Sequence, residues 1–136
     1  MKQLSKTILV GTFSALSLIG TAPEVRANEI DRLVLSLCEA AQNDDRRVMR
    51  KKLETARLRL NNIYESIQCG SEGSLLRVAT TSGSLNAAKF IATKIGKESI
   101  TQPESDGKNI IEYSQALVTS GDASKQAFVE LYQSKI

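Results

Sequence analysis

"GSLLRVATTSGSLNAAKFI", residues 73–91, places two apolar-rich segments on either side of a small-residue break, Thr80 to Ser84. Leu75, Leu76, Val78 and Ala79 supply one short helix, and Leu85, Ala87, Ala88, Phe90, Ile91 and Ile95 supply a second. Apolar residues that recur at spacings of three and four gather on one face of a helix. The stretch is therefore a helix-turn-helix unit, and the fold turns on whether it stands alone or repeats.

Reading outward answers this. Towards the N-terminus, Ile30, Leu33, Val34, Leu37, Cys38 and Ala41 form one helical stripe. "QNDD", residues 42–45, breaks it with turn and N-cap residues, and Val48, Met49, Leu53, Ala56 and Leu60 form the next stripe. Asn61 to Gly73 has poor periodicity and a Gly-rich end, which predicts an irregular or hairpin-like connection. Towards the C-terminus a loop over Gly96 to Lys108 leads to Ile110, Ile111, Tyr113, Ala116 and Leu117. "TSGD" follows, and then Phe128, Val129 and Leu131. The turns "NDD", "TSGS" and "TSGD" stand 38 or 39 positions apart, and the loop ends "SEGS" and "SDGK" stand 34 apart. Self-similarity at such a period marks a stack of helical hairpins. The expectation is an all-α fold of three stacked helix-turn-helix units. The alternative is a small bundle of five or six helices, whose hairpin turns look alike because every hairpin needs one.

The opening stretch resembles the ankyrin family, with Gly73, Leu76, Ala79, Gly83 and Leu85 at its signature places. "LCEAAQNDDRRVM", residues 37–49, resembles an atypical first repeat, and "DGKNIIEY" through "TSGD" a last one. Ser74, Leu75, Leu76 and Arg77 stand where the family usually has Thr-Pro-Leu-His. The resemblance implies a concave surface, built from loops and first helices, that takes a protein partner. The chain also looks like an uncharacterised group of small exported two-cysteine proteins of Gram-negative bacteria with a comparable Leu-Leu-Arg segment, from which no activity carries over.

The N-terminus predicts export. Met1 to Lys6 is basic, and "TILVGTFSALSLIG", residues 7–20, is uncharged and too short for a span of about 20 apolar residues. In "TAPEVRA" Val25 and Ala27 occupy the positions a signal peptidase reads, which places cleavage between Ala27 and Asn28. Residues 1–27 are then a signal peptide and 28–136 a single helical repeat domain, periplasmic or secreted, with no transmembrane segment after processing. Residues 28–136 hold 15 of the 18 basic and 14 of the 15 acidic residues, so the processed chain carries about +1. That balance argues against nucleic acid as a partner, since phosphate binding draws on an excess of Lys and Arg.

Absent residue types narrow the chemistry. The chain has no His, the commonest general base and the usual partner of a Ser or Cys nucleophile. Its two cysteines stand 31 positions apart with no His between them, unlike a zinc site. We expect no catalytic residue, no metal and no cofactor. The alternative, an envelope enzyme that relies on carboxylates alone, would use Asp44 with Asp45 or Glu65 with Glu72, although Asp-Asp in a polar break also reads as a turn and a helix cap.

In an oxidising compartment an even cysteine count points to a disulfide, here Cys38 to Cys69. In the repeat arrangement the first helix of unit one and the loop entering unit two are neighbours. Closing a loop of about 30 residues stabilises by about 3–4 kcal/mol in the chain-entropy model.

"RRVMRKKLETARLR", residues 46–59, holds seven bases and one acid. The apolar stripe leaves Arg46, Arg50, Lys51, Arg57 and Arg59 outward, on a face that is either solvated or, together with Arg47, docks an anionic partner. The expected function is an exported, non-enzymatic binding module that recognises a protein or another anionic component of the envelope.

Overall fold

The computed structural model describes the backbone of residues 21–136 and the side chains of residues 28–136. Over these residues the chain is a small all-helical bundle. Its helices are α1 (Thr21–Gln42), α2 (Arg46–Ala56), α3 (Leu60–Ile63), α4 (Leu75–Thr81), α5 (Leu85–Thr101), α6 (Ile110–Thr119) and α7 (Gln126–Gln133). Short 3₁₀ segments lie at Tyr64–Ser66, Gly70–Glu72 and Ala123–Lys125.

The helices pair as three hairpins, α1 with α2, α4 with α5, and α6 with α7. Each hairpin buries its apolar stripe in a shared core, including Leu37, Ala41 and Met49 from the first, Leu75, Leu76, Ala87 and Ile91 from the second, and Ile110, Phe128 and Tyr132 from the third. The hairpins stack in chain order. α4 packs against both α1 and α6, while α5 packs against both α2 and α7.

Hydrogen bonds between successive turns hold this order. Asp44, Gly83 and Gly121 take left-handed backbone at their respective turns, with φ of 57°, 74° and 116°. Asp tolerates this conformation better than most side chains. The Asp44 carboxylate also accepts from the Ala87 N–H at the start of α5, at 2.7 Å, and Ser84 Oγ donates to the Gln42 carbonyl at 3.0 Å. The third turn is joined to the second by Lys125 Nζ, which donates to the Thr81 carbonyl at 3.3 Å.

The two long connections close alike. The Cys69 N–H donates to the Gly73 carbonyl and the Glu72 N–H to the Cys69 carbonyl; the Glu104 N–H donates to the Lys108 carbonyl and the Gly107 N–H to the Glu104 carbonyl. Each leads to a side-chain N-cap, with Ser74 accepting from the Arg77 N–H and Asn109 from the Glu112 N–H. In both helices that follow, a buried hydroxyl, Thr80 or Ser114, donates to the carbonyl four residues back.

Several expectations need correction. The second stripe does not run to Leu60. α2 ends at Ala56, Arg57 turns left-handed, and Leu60 opens α3. That extra helix in the connection raises the α-helix count over the described residues to seven, above the five or six of the bundle alternative. The loop expected from Gly96 is instead largely helical to Thr101, across a break at Gly96 with φ 84° and ψ 173°. Ile30 and Val48, read as stripe residues, are exposed. The leader expected over residues 1–27 is not among these corrections: through residue 20 it lies outside the described residues, whose backbone begins in α1 at Thr21. Among the described residues no helix is long and apolar enough to cross a membrane.

Candidate functional site

α2 forms because Asp45 caps it, its carboxylate accepting from the Val48 N–H at 3.1 Å, and because Met49 and Leu53, one turn apart, are buried. The rest of the helix faces water. Arg46, Arg47, Arg50, Lys51 and Lys52 are all exposed, as are Arg57 and Arg59 beyond its end. Arg46 and Arg47 occupy the first turn, at the positive end of the helix dipole, where a cation costs about 0.3–1 kcal/mol. Among the described residues the ion pairs are made by Arg77 and Lys125, and none of these seven bases takes part. The helix thus carries an uncompensated positive face.

Its C-terminus is shaped by one strained residue. Arg57 has φ 55° and ψ 39°, a conformation usually left to glycine at this place, and the Leu58 N–H donates back to the Leu53 carbonyl at 3.1 Å. The reversal leaves Leu58 37% exposed and brings Arg57 and Arg59 beside α5.

Between α2 and α5 lies a groove of about 540 Å³. Arg50, Glu54, Arg57, Arg59 and Lys94 contribute its charged groups, and Leu53, Leu58, Leu60 and Phe90 its apolar ones. The Arg50 guanidinium lies 5.8 Å from the Phe90 ring centroid and the Lys94 ammonium 5.7 Å from it. Four cations face one carboxylate, and the two ring contacts offset little of their mutual repulsion, at about 0.5–1 kcal/mol each.

The structure therefore divides the six candidate residues. Arg50, Arg57 and Arg59 share the groove, while Arg46 and Arg47 border a separate dip with Asn43, Asp44, Asp45 and Asn86. Lys51 lines neither. Sequence reading missed Lys94 and counted Phe90 only as core. The signal was their spacing of four on one helix, which puts an ammonium above a ring.

A second polar cluster joins the connection before α6 to α4. Arg77, 8% exposed, donates from both terminal nitrogens to Asp106, at 2.8 and 2.7 Å, and to the Lys108 carbonyl at 3.0 Å. Its Nε lies 3.0 Å from Glu104 Oε2 without hydrogen-bond alignment, and the Tyr113 ring centroid is 4.3 Å from its guanidinium carbon. Glu104 also accepts from Ser74 Oγ and N–H. The bidentate bond to Arg77 is the chief reason that the Asp106 carboxyl is held well below the usual carboxylate range. The same bond raises the Arg77 pKa. A cavity of about 320 Å³ beside this cluster is lined by Tyr64, Glu65, Glu72 and Glu104 among others.

Of the carboxylates considered for catalysis, Asp44 and Asp45 are engaged as caps of α5 and α2, while Glu65 and Glu72 are exposed at that second cavity. Among the described residues no group of three or more His, Cys, Asp or Glu side chains is placed to hold a metal ion. Cys38 of α1 and Cys69 of the following connection form a disulfide, with Cα atoms 5.7 Å apart.

Fold and site define a small disulfide-linked helical protein with an exposed basic groove. Residues 37–104 match the family described as "Protein of unknown function (DUF3718)", and the chain belongs to it. The matched span contains both cysteines, all six candidate bases, Phe90 and Lys94. Neither a curated protein nor a solved structure matches the chain.

Proposed function

We propose that this protein is an exported binding module, not an enzyme, and that it docks an anionic protein partner through the basic face of α2. The observation that carries the reading is the set of seven exposed bases from Arg46 to Arg59 with no ion-pair partner among the described residues. Exposed like charges held together repel one another, and an anionic surface relieves that repulsion while steering association. The ordered hairpins and the matching closure of their connections support reading the fold as a short ankyrin-like array, whose loops would add to the contact surface. The disulfide supports an oxidising compartment, periplasmic or extracellular, reached through cleavage after Ala27.

Cross-linking pull-down from the periplasm, followed by purification of the captured partner, tests the reading. Binding should weaken steeply with salt, because exposed charges are screened over about 8 Å at physiological ionic strength. The double reversal Arg50→Glu and Lys51→Glu should abolish capture with an unchanged melting curve, since exposed substitutions usually alter stability by no more than about 0.5 kcal/mol. Capture that survives the reversal at low salt would overturn the reading. Turnover in a screen of envelope hydrolase substrates would favour the carboxylate enzyme instead.

A further inference from the structure

The groove offers two chemistries side by side. Its cations include three guanidiniums, whose planar forks suit bidentate contact with carboxylates, and one ammonium that contributes a point charge. Its apolar part is a shallow strip. Leu53, Leu60 and Phe90 are 6%, 3% and 7% exposed, so each shows only an edge, while Leu58 is open to solvent. Such a strip accommodates a single apolar side chain. A flat lipid surface would meet the exposed bases without reaching the recessed edges of Leu53, Leu60 and Phe90.

We infer that the groove reads an acidic peptide segment in which carboxylates flank an apolar side chain. The carboxylates pair with Arg50, Arg57, Arg59 and Lys94, and the apolar residue covers Leu58 and the edge of Phe90. This rests on the reading that the basic face docks an anionic protein, and it adds a position and a sequence preference. The preference comes from water exclusion. A partner leucine laid on Leu58 removes apolar surface from water on both sides, while the neighbouring charges fix its register.

The test uses the processed, disulfide-bonded protein and labelled short peptides in fluorescence anisotropy. One peptide alternates Glu with Leu, a second alternates Glu with Ser at the same charge, and phosphatidylglycerol vesicles form a third arm. The Glu/Leu peptide should bind about tenfold more tightly than the Glu/Ser peptide, a factor that partial burial of one leucine supplies. Lys94→Glu should weaken both peptides about tenfold or more. Leu58→Ser should remove the preference and leave the salt-dependent Glu/Ser binding in place, with circular dichroism confirming that each variant is folded. Equal affinity for the two peptides would overturn the sequence preference while leaving the basic-face reading intact. Binding that is lost with Arg50→Glu and Lys51→Glu but untouched by Lys94→Glu would move the contact to the outer face of α2 and overturn the groove. Binding to vesicles and to neither peptide would overturn this inference and point the basic face at lipid instead of protein, while failure to bind any of the three probes would overturn this inference and leave the protein-docking reading to the pull-down.

Discussion

A threonine has one hydroxyl hydrogen, and at Thr80 it goes to the Leu76 carbonyl at 2.6 Å. The Tyr132 hydroxyl, 2.7 Å from Thr80 Oγ1, must then be the donor in their contact. Both residues are fully buried, and burial is the main cause of the raised Tyr132 pKa. The two deletions should therefore differ. Tyr132→Phe leaves Thr80 its bond to Leu76 and should cost about 0.5–1.5 kcal/mol, the net worth of one hydrogen bond. Thr80→Val keeps the shape but strands a buried phenol, and should cost about 1–3 kcal/mol. Urea midpoints of the two variants check the order, and a Thr80→Val protein as stable as Tyr132→Phe would refute the donor assignment. In the sequence Thr80 opens the small-residue break that runs to Ser84. Its buried role depends on Tyr132, 52 positions later, which no local pattern reveals. Arg77 was opaque for the same reason. It stands out in sequence only as a departure from the ankyrin pattern and as the end of the Leu-Leu-Arg segment, since its partners Glu104 and Asp106 lie in another connection.

At the scale of elements, the end of α2 and the connection before α6 each give a prediction. A left-handed non-glycine residue costs about 1–2 kcal/mol, and Arg57 carries that cost at the rim of the groove. Arg57→Gly removes the strain but adds chain entropy to the unfolded state, an opposing effect of about 0.5–1 kcal/mol. Stability should stay level or rise slightly, while affinity for the acidic peptide falls. A clear drop in melting temperature would mean that the arginine side chain supports the fold. The clamp of Arg77 on Asp106 makes stability respond to acid. An unfolded Asp106 titrates near its ordinary 3.8, and the folded one lower, because Arg77 holds it ionised. As pH falls below about 4 the unfolded state takes up a proton that the folded state refuses, so stability declines; at higher pH the contribution is constant. Denaturant midpoints followed downward from neutral pH should fall less steeply in Asp106→Asn than in the parent. Parallel slopes would remove the clamp from the account of acid stability. The kink in α5 shows why boundaries were harder to read than the elements themselves. Ile95 and Ile100 are both buried, yet a five-residue spacing does not fit one straight helix. Gly96, at φ 84°, reorients the segment, and its sequence signal reads equally well as the start of a loop.

Across the whole molecule, the ordering of hairpins was legible because turns and connections repeat, and each repeated signal falls on a backbone feature that recurs. The groove was only half legible, since α2 shows its charge locally whereas Lys94 arrives through stacking of the second hairpin on the first. That stacking makes the last prediction specific. The Cys38–Cys69 bond ties the first hairpin to the entrance of the second and leaves the third untouched. Removing it with the double substitution to serine should cost about 3–4 kcal/mol, a large part of the 5–15 kcal/mol typical of a whole protein. In a stack whose strongest contacts join neighbours, the loss should be graded. Amide hydrogen exchange under native conditions should quicken most in α1 and α2, less in α4 and α5, and least in α6 and α7. A closed bundle with one indivisible core would instead lose protection in α1 and α7 alike. Equal acceleration in the first and third hairpins would therefore reject the stacked arrangement as an energetic description, whatever its geometry.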